Sequence, residues 1–179
     1  MSESDTSWAE QGQARQQALR CARGAGVARR EEVAALSGLQ ALHAMLRGEL
    51  PYPYIADTMD YLLMEVAEGR AVFQGVPQEK HLNPMGGVHG GWYATLLDSA
   101  LGCAVHTLMP PGRGYTTAEL SVNLVRAAVP GREPLRAIGQ VIHCGRQLAT
   151  AEARIVDAAG KVYAHGTTTC LVFELPAQR

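Results

Sequence analysis

Between positions 31 and 50 the apolar residues Val33, Leu36, Leu39, Leu42, Met45 and Leu46 recur every three or four residues, which predicts one amphipathic helix. Gly48 and Pro51 stop it, and Pro51-Tyr52-Pro53 forces an extended segment, because a proline ring excludes helical backbone from the residue before it. Beyond that point the period changes to two. Residues 58–68 and 70–76 are expected as strands joined at Glu68-Gly69. A run over 89–108, apolar on most of its surface, is expected as a helix, followed by strands at 115–127, 135–143, 149–157 and 162–175. The alternation is plainest at Ala118, Leu120, Val122 and Leu124 and again at Ala149, Ala151, Ala153 and Ile155. Asp157-Ala158-Ala159-Gly160 supplies a hairpin turn between the last two strands.

Consecutive strands with short turns imply an antiparallel sheet. A sheet with one face to cover, and one long helix apolar nearly all round, predicts an α+β fold in which the sheet wraps the helix. Residues 1–35, rich in Ser, Glu, Gln, Ala and Arg, read as a tail, disordered or loosely helical, and 36–179 as the folded domain.

Composition narrows the partners. The chain has 179 residues, 47% hydrophobic and 18% charged, with a formal net charge of -1. That is enough for one buried core, and it lacks the basic footprint of a nucleic-acid binder. The first twenty residues carry acids and glutamines where an export leader needs a basic start and an apolar run, so a cytoplasmic protein is expected. The longest apolar stretch, 92–105, contains Asp98 and is too short to cross a bilayer, so no membrane association is expected. Cys21, Cys103, Cys144 and Cys170 show no metal-like spacing and read as free thiols, and neither metal nor cofactor is expected.

The chemistry concentrates in His81-Leu82-Asn83-Pro84-Met85-Gly86-Gly87-Val88-His89-Gly90-Gly91 and the helix after it. The first turn of a helix leaves backbone N–H groups without partners and carries partial positive charge. Gly90 and Gly91 have no side chains to block approach, so a carbonyl oxygen could rest against those amides as in an oxyanion hole. A loop that merely starts a helix would carry the same glycines. Asp98 weighs against that plainer reading. It is the only acid in the helix, flanked by Leu96, Leu97, Ala100 and Leu101. A carboxylate buried there must be paired, neutralised or retained for work, and capping by Ser or Thr hydroxyls in the core is the structural alternative.

Spacing adds a deduction about assembly. Asp98 lies eight residues past Gly90, about 12 Å along a helix, too far for both to act on one carbonyl from one chain. Two antiparallel copies would bring Gly90 of one chain to Asp98 of the other. Gly91, Thr95, Asp98, Ser99, Gly102 and His106 share a face on which most residues are small, so helices could approach closely. A two-fold dimer with two composite sites follows, and association of two dimers stays open.

The segment resembles the hotdog-fold acyl-CoA thioesterases, specifically their phenylacetate-degradation (PaaI-type) branch. Asn83, Gly86, His89-Gly90-Gly91 and Asp98 meet that pattern, and the likeness runs from about Leu39 to Phe173. It includes Thr116-Thr117-Ala118-Glu119-Leu120 and the ending His165-Gly166-Thr167-Thr168-Thr169-Cys170. The resemblance implies hydrolysis of an acyl-CoA thioester, with the Gly90 amide polarising the carbonyl and Asp98 of the partner subunit acting as general base or nucleophile. It implies that Thr117 orients the attacking water and that Asn83 and His89 sit near the thioester. Gly91 and Thr95 are expected beside the substrate, and Arg126 at its phosphates, although exposed arginines more often just solvate a surface. Arg132 and Arg146 share that ambiguity. A hydratase or dehydratase pattern is missing. The stretch 29–50, one amphipathic helix at most, is too short and weakly basic for the DNA-binding head of a non-catalytic acyl-CoA sensor. No serine-hydrolase elbow appears.

Overall fold

Leu96, Leu97, Ala100, Leu101, Ala104 and Val105 are wholly shielded from solvent, and the strands curve round the helix that carries them. The computed structural model describes residues 7–176, so both ends of the chain assigned above to tail and domain lie outside the described residues. Four helices lead: α1 (Trp8–Cys21), α2 (Arg30–Val33), α3 (Gly38–Leu46) and α4 (Tyr54–Thr58). Strands β1 (Tyr61–Ala67) and β2 (Arg70–Gly75) precede the long helix α5 (Gly90–His106). Then come β3 (Arg113–Leu124), β4 (Leu135–Cys144), β5 (Leu148–Val156) and β6 (Val162–Glu174).

The strands form one six-stranded sheet in the order β1-β2-β4-β5-β6-β3, with every pair antiparallel. This is the hotdog fold, a sheet wrapped round one central helix, and the α+β expectation stands. Small residues let the two layers touch. A Cβ at Gly139 of β4 would stand 2.3 Å from the Ala100 carbonyl oxygen of α5, so the sheet backbone lies directly on the helix. Alternation along β5 buries Ala149, Ala151, Ala153 and Ile155 against it. β3 is an edge strand, exposed or half-exposed along all its 12 residues, and its register shifts between Thr117 and Glu119.

The predicted single helix over 31–50 is instead two, α2 and α3. Ser37 starts the second: its Oγ accepts from Gln40 N at 3.3 Å while Gln40 Oε1 accepts from Ser37 N at 2.8 Å. That reciprocal cap satisfies two N–H groups and outweighs the continuous apolar period. The start of α3 is pinned to the end of α5, where Gly38 N donates to Met109 O at 2.8 Å. The strand expected from position 58 begins at Tyr61, because α4 takes up Thr58 and Asp60 turns the chain at φ 51°.

Within the segment read as a tail, α1 is a capped helix laid on the outer sheet face. The Arg136 guanidinium stacks 4.3 Å from the Trp8 ring, donates to Gln74 Oε1 at 2.8 Å and reaches Gln11 Oε1 at 2.5 Å. Gln74 Nε2 in turn donates to Trp8 O at 2.6 Å.

Candidate active site

The loop before α5 is built by Asn83. Its Oδ1 accepts from Met85 N at 2.9 Å and Gly87 N at 3.1 Å, while Gly86 takes the left-handed conformation at φ 81° that closes the turn. Asn83 therefore shapes the loop with its side-chain carbonyl. His81 is structural: Nδ1 accepts from Gln78 N at 2.9 Å and its carbonyl accepts from His89 N at 2.8 Å.

His89 is the residue that caps α5. Its Nδ1 accepts from Gly91 N at 2.9 Å, so the Gly91 amide is occupied and the neutral ring carries its proton on Nε2. Gly90 N–H has no acceptor among the described residues and opens the helix. Of the two glycine amides expected to meet a carbonyl, one is thus available. Leu124 is the neighbour over it, with Cδ1 3.0 Å from where a Gly90 Cβ would stand. Thr95 turns its hydroxyl back on the helix and donates to Gly91 O at 2.8 Å.

Asp98 is half-buried on α5, and Thr117 Oγ1 donates to its Oδ1 at 3.0 Å. Thr117 sits beside the β3 bulge, a feature that re-aims side chains next to sites. Around this pair lie groups that the sequence did not single out for the site. Tyr61 of β1 bonds Ser99 Oγ at 2.8 Å, and burial pushes its phenol up to about 12. Burial, with the Asp98 charge adding to it, pushes the Cys103 thiol up to about 12. Burial likewise raises the Tyr115 phenol well above its usual value and raises the Cys170 thiol. All four stay protonated near neutral pH. No local pattern marks Tyr61 or Tyr115; only the sheet order brings them to the helix.

The helix face expected to meet a partner differs from its sequence outline. Gly90, Gly91, Ala94, Thr95, Asp98 and Ser99 form a half-exposed stripe at four-residue intervals. Gly102, expected on the same face, is buried under Tyr115, whose Oη lies 2.9 Å from an ideal Cβ there. His106 is likewise turned to its own sheet, its ring 5.6 Å from that of Tyr115. Arg126 is exposed after β3, its guanidinium 5.8 Å from the Tyr163 ring and two residues from Leu124. Arg132 and Arg146 are exposed on other loops. Among the described residues no group of three or more His, Cys, Asp or Glu could hold a metal ion, and no helix is long and apolar enough to cross a membrane.

Comparison with known proteins points to one family. Residues 85–164 match the family model of the thioesterase superfamily, a span containing Gly90, Asp98 and Thr117. A protein of Archaeoglobus fulgidus described as an esterase is 29% identical over 108 residues, 60% of this chain and 68% of that one. A solved structure from the thioesterase superfamily is 34% identical, with a TM-score of 0.57 over 65% of this chain and 87% of its own. A phenylacetic acid degradation-related protein of Ralstonia eutropha is 29% identical, with a TM-score of 0.66 over 72% of this chain and 97% of its own. A point mutant of the phenylacetic acid degradation protein PaaI from Thermus thermophilus is 25% identical, with a TM-score of 0.60 over 66% and 97%. With the wrapped helix, the glycine amide at its start and the Thr117–Asp98 pair, these matches mean that the chain belongs to the thioesterase superfamily as a hotdog-fold protein of the PaaI type.

Proposed function

We propose that the protein hydrolyses an acyl-CoA thioester to the free acid and CoA, as a homodimer whose two active sites each draw on both chains. The observation that carries this reading is the Thr117–Asp98 hydrogen bond on a helix whose first amide, Gly90 N–H, has no acceptor among the described residues. The thioester carbonyl rests on Gly90 N–H of one subunit, where the helix dipole favours the oxyanion that forms. Asp98 of the other subunit, oriented by Thr117, takes the proton of an attacking water. The C–S bond then breaks, CoA leaves as the thiolate, and the proton returns to sulfur. In the variant of this scheme in which Asp98 is the nucleophile, its carboxylate forms a mixed anhydride that water opens. His89 Nε2 and the Asn83 NH2 group lie at the same end of α5 and serve to position the thioester, and Arg126, two residues after the Leu124 that lies over Gly90, serves to meet the CoA phosphates.

The composite arrangement is supported by the half-exposed stripe of small residues on α5 and by the long exposed edge of β3, a ready template for a second strand. The test is thiol release from a panel of CoA esters by wild type and by Asp98→Asn. Loss of an essential base or nucleophile lowers kcat by about 100-fold or more, with the fold unchanged by circular dichroism. Activity of the variant within a few-fold of wild type would refute the role of Asp98. Label found in the protein after a single turnover in 18O-water would mark the nucleophile route, since only a mixed anhydride opened by water at the Asp98 carbonyl leaves it there.

A further inference from the structure

A cavity of about 760 Å³ lies between the N-terminal segment and the C-terminal half of α5. Its inner wall is Cys103 and His106, and its outer wall includes Val33, Leu36, Ala41 and Met45. Among the described residues no carboxylate lines it, and the charged lining residues are two arginines that hold chain carbonyls: Arg30 bonds Pro176 O, and Arg113 bonds Arg146 O. Burial holds the His106 imidazole below its usual value, so that wall is uncharged near neutral pH. Apolar pockets of this size are the form that small-molecule sites take.

The central helix ties the cavity to the candidate active site. Cys103 lies five residues past Asp98, about 7.5 Å along the same helix, and the Asp98 charge bears on its thiol. The outer wall belongs to the segment that precedes β1 and folds back on α5. We propose that this cavity receives the apolar tail of the acyl group, so that the N-terminal segment sets a preference for long aliphatic chains. The inference rests on the thioesterase reading and names its substrate class. A two-carbon acyl group ends short of Cys103, whereas a twelve-carbon chain passes it and buries its far methylenes against α2 and α3. Each methylene buried strengthens binding about fourfold.

The experiment compares acetyl-CoA with dodecanoyl-CoA. Wild type should show kcat/KM about 100-fold or more higher for the longer ester. Ala41→Phe, which fills the cavity from α3, and Val33→Trp, which fills it from α2, should each cut that figure about 10-fold or more while acetyl-CoA hydrolysis stays within about twofold. Neither residue touches Asp98, Thr117 or Gly90. If wild type hydrolyses thioesters but folded variants keep its chain-length profile, the cavity proposal is overturned and the thioesterase reading survives. If wild type hydrolyses neither these two esters nor any other of the CoA-ester panel, the thioesterase reading fails. Titration of Asp98→Asn with even-numbered acyl-CoAs then judges the cavity by binding alone. That series needs no cavity variant: affinity that climbs with chain length supports the proposal, and flat affinity from two to twelve carbons overturns it.

Discussion

Replacing Gly90 by proline removes the proposed oxyanion donor with little disturbance of the helix that carries it. Gly90 is the first residue of α5, where proline is favoured and its missing N–H would have no helical partner. His89 before it has φ -63° and ψ 137°, the extended backbone that a following proline demands. The contact in the way is Leu124 Cδ1, which belongs to a half-exposed side chain able to rotate aside. Loss of one such donor should lower kcat about 100- to 1,000-fold, whereas Gly90→Ala keeps the amide and should stay near wild type. Gly90→Pro and Asp98→Asn are then mixed in equal amounts under conditions of subunit exchange. With composite sites, each heterodimer has one intact site and one doubly damaged site. Random reassortment makes half of the dimers mixed, so activity should recover to about a quarter of wild type per protomer. Native mass spectrometry confirms exchange, and circular dichroism the fold of each parent. Exchange without recovered activity would mean that amide and carboxylate act within one chain, and the argument from a helix rise of about 12 Å would fall.

Three further outcomes follow from the contacts. Thr117→Ala should lower kcat about 10- to 100-fold with unchanged circular dichroism, since it removes orientation rather than the base, and Thr117→Ser should restore most of it; a collapsed fold would instead mark a structural hydroxyl. Trp8→Ala should lower stability by about 1–2 kcal/mol in denaturant melts, and Arg136→Ala by more, about 2–3 kcal/mol, because buried Gln74 Oε1 then loses its donor; equal, negligible effects would show that α1 adds nothing to stability. His106 is held below its unfolded pKa by burial, so the unfolded chain binds the extra proton first, and stability present above about pH 6.5 is lost as pH falls below it. His106→Phe should flatten that acid limb in melts from about pH 7 down to about pH 5, and an unchanged limb would clear His106 of the effect.

Much of the fold is legible because it is written in local periods. The long apolar run over 89–108 can only be a helix inside a sheet, and α5 occupies nearly that span. Strands β4 to β6 lie close to their alternating segments for the same reason. The leading helix reads as one piece because its apolar spacing continues through residues 34–37, while the competing Ser37 and Gln40 cap depends on two side chains meeting the backbone. The start of β1 reads too early, since a short helix such as α4 leaves no period to detect.

The site divides along the same line. Asn83, His89, Gly90 and Asp98 stand within about sixteen positions of one another, so a loop running into a helix places them by its own geometry. Their sequence alone determined that an amide at a helix start and a single acid two turns on would share one element. Thr117 could be named by resemblance, but its bond to Asp98 exists only because β3 lies at the sheet edge next to β6 with a bulge beside it. Tyr61 and Tyr115 reach the helix by the same cross-strand route, covering Ser99 and Gly102 that an isolated helix would leave bare. Likewise the cavity beside Cys103 needs residues 33–45 folded back on α5, a contact between segments far apart in the chain. Periodicity reports which face of an element is apolar, because that follows from backbone geometry repeated every few residues. Which faces meet is decided by the single arrangement that buries them all at once, and no short stretch of chain contains that information.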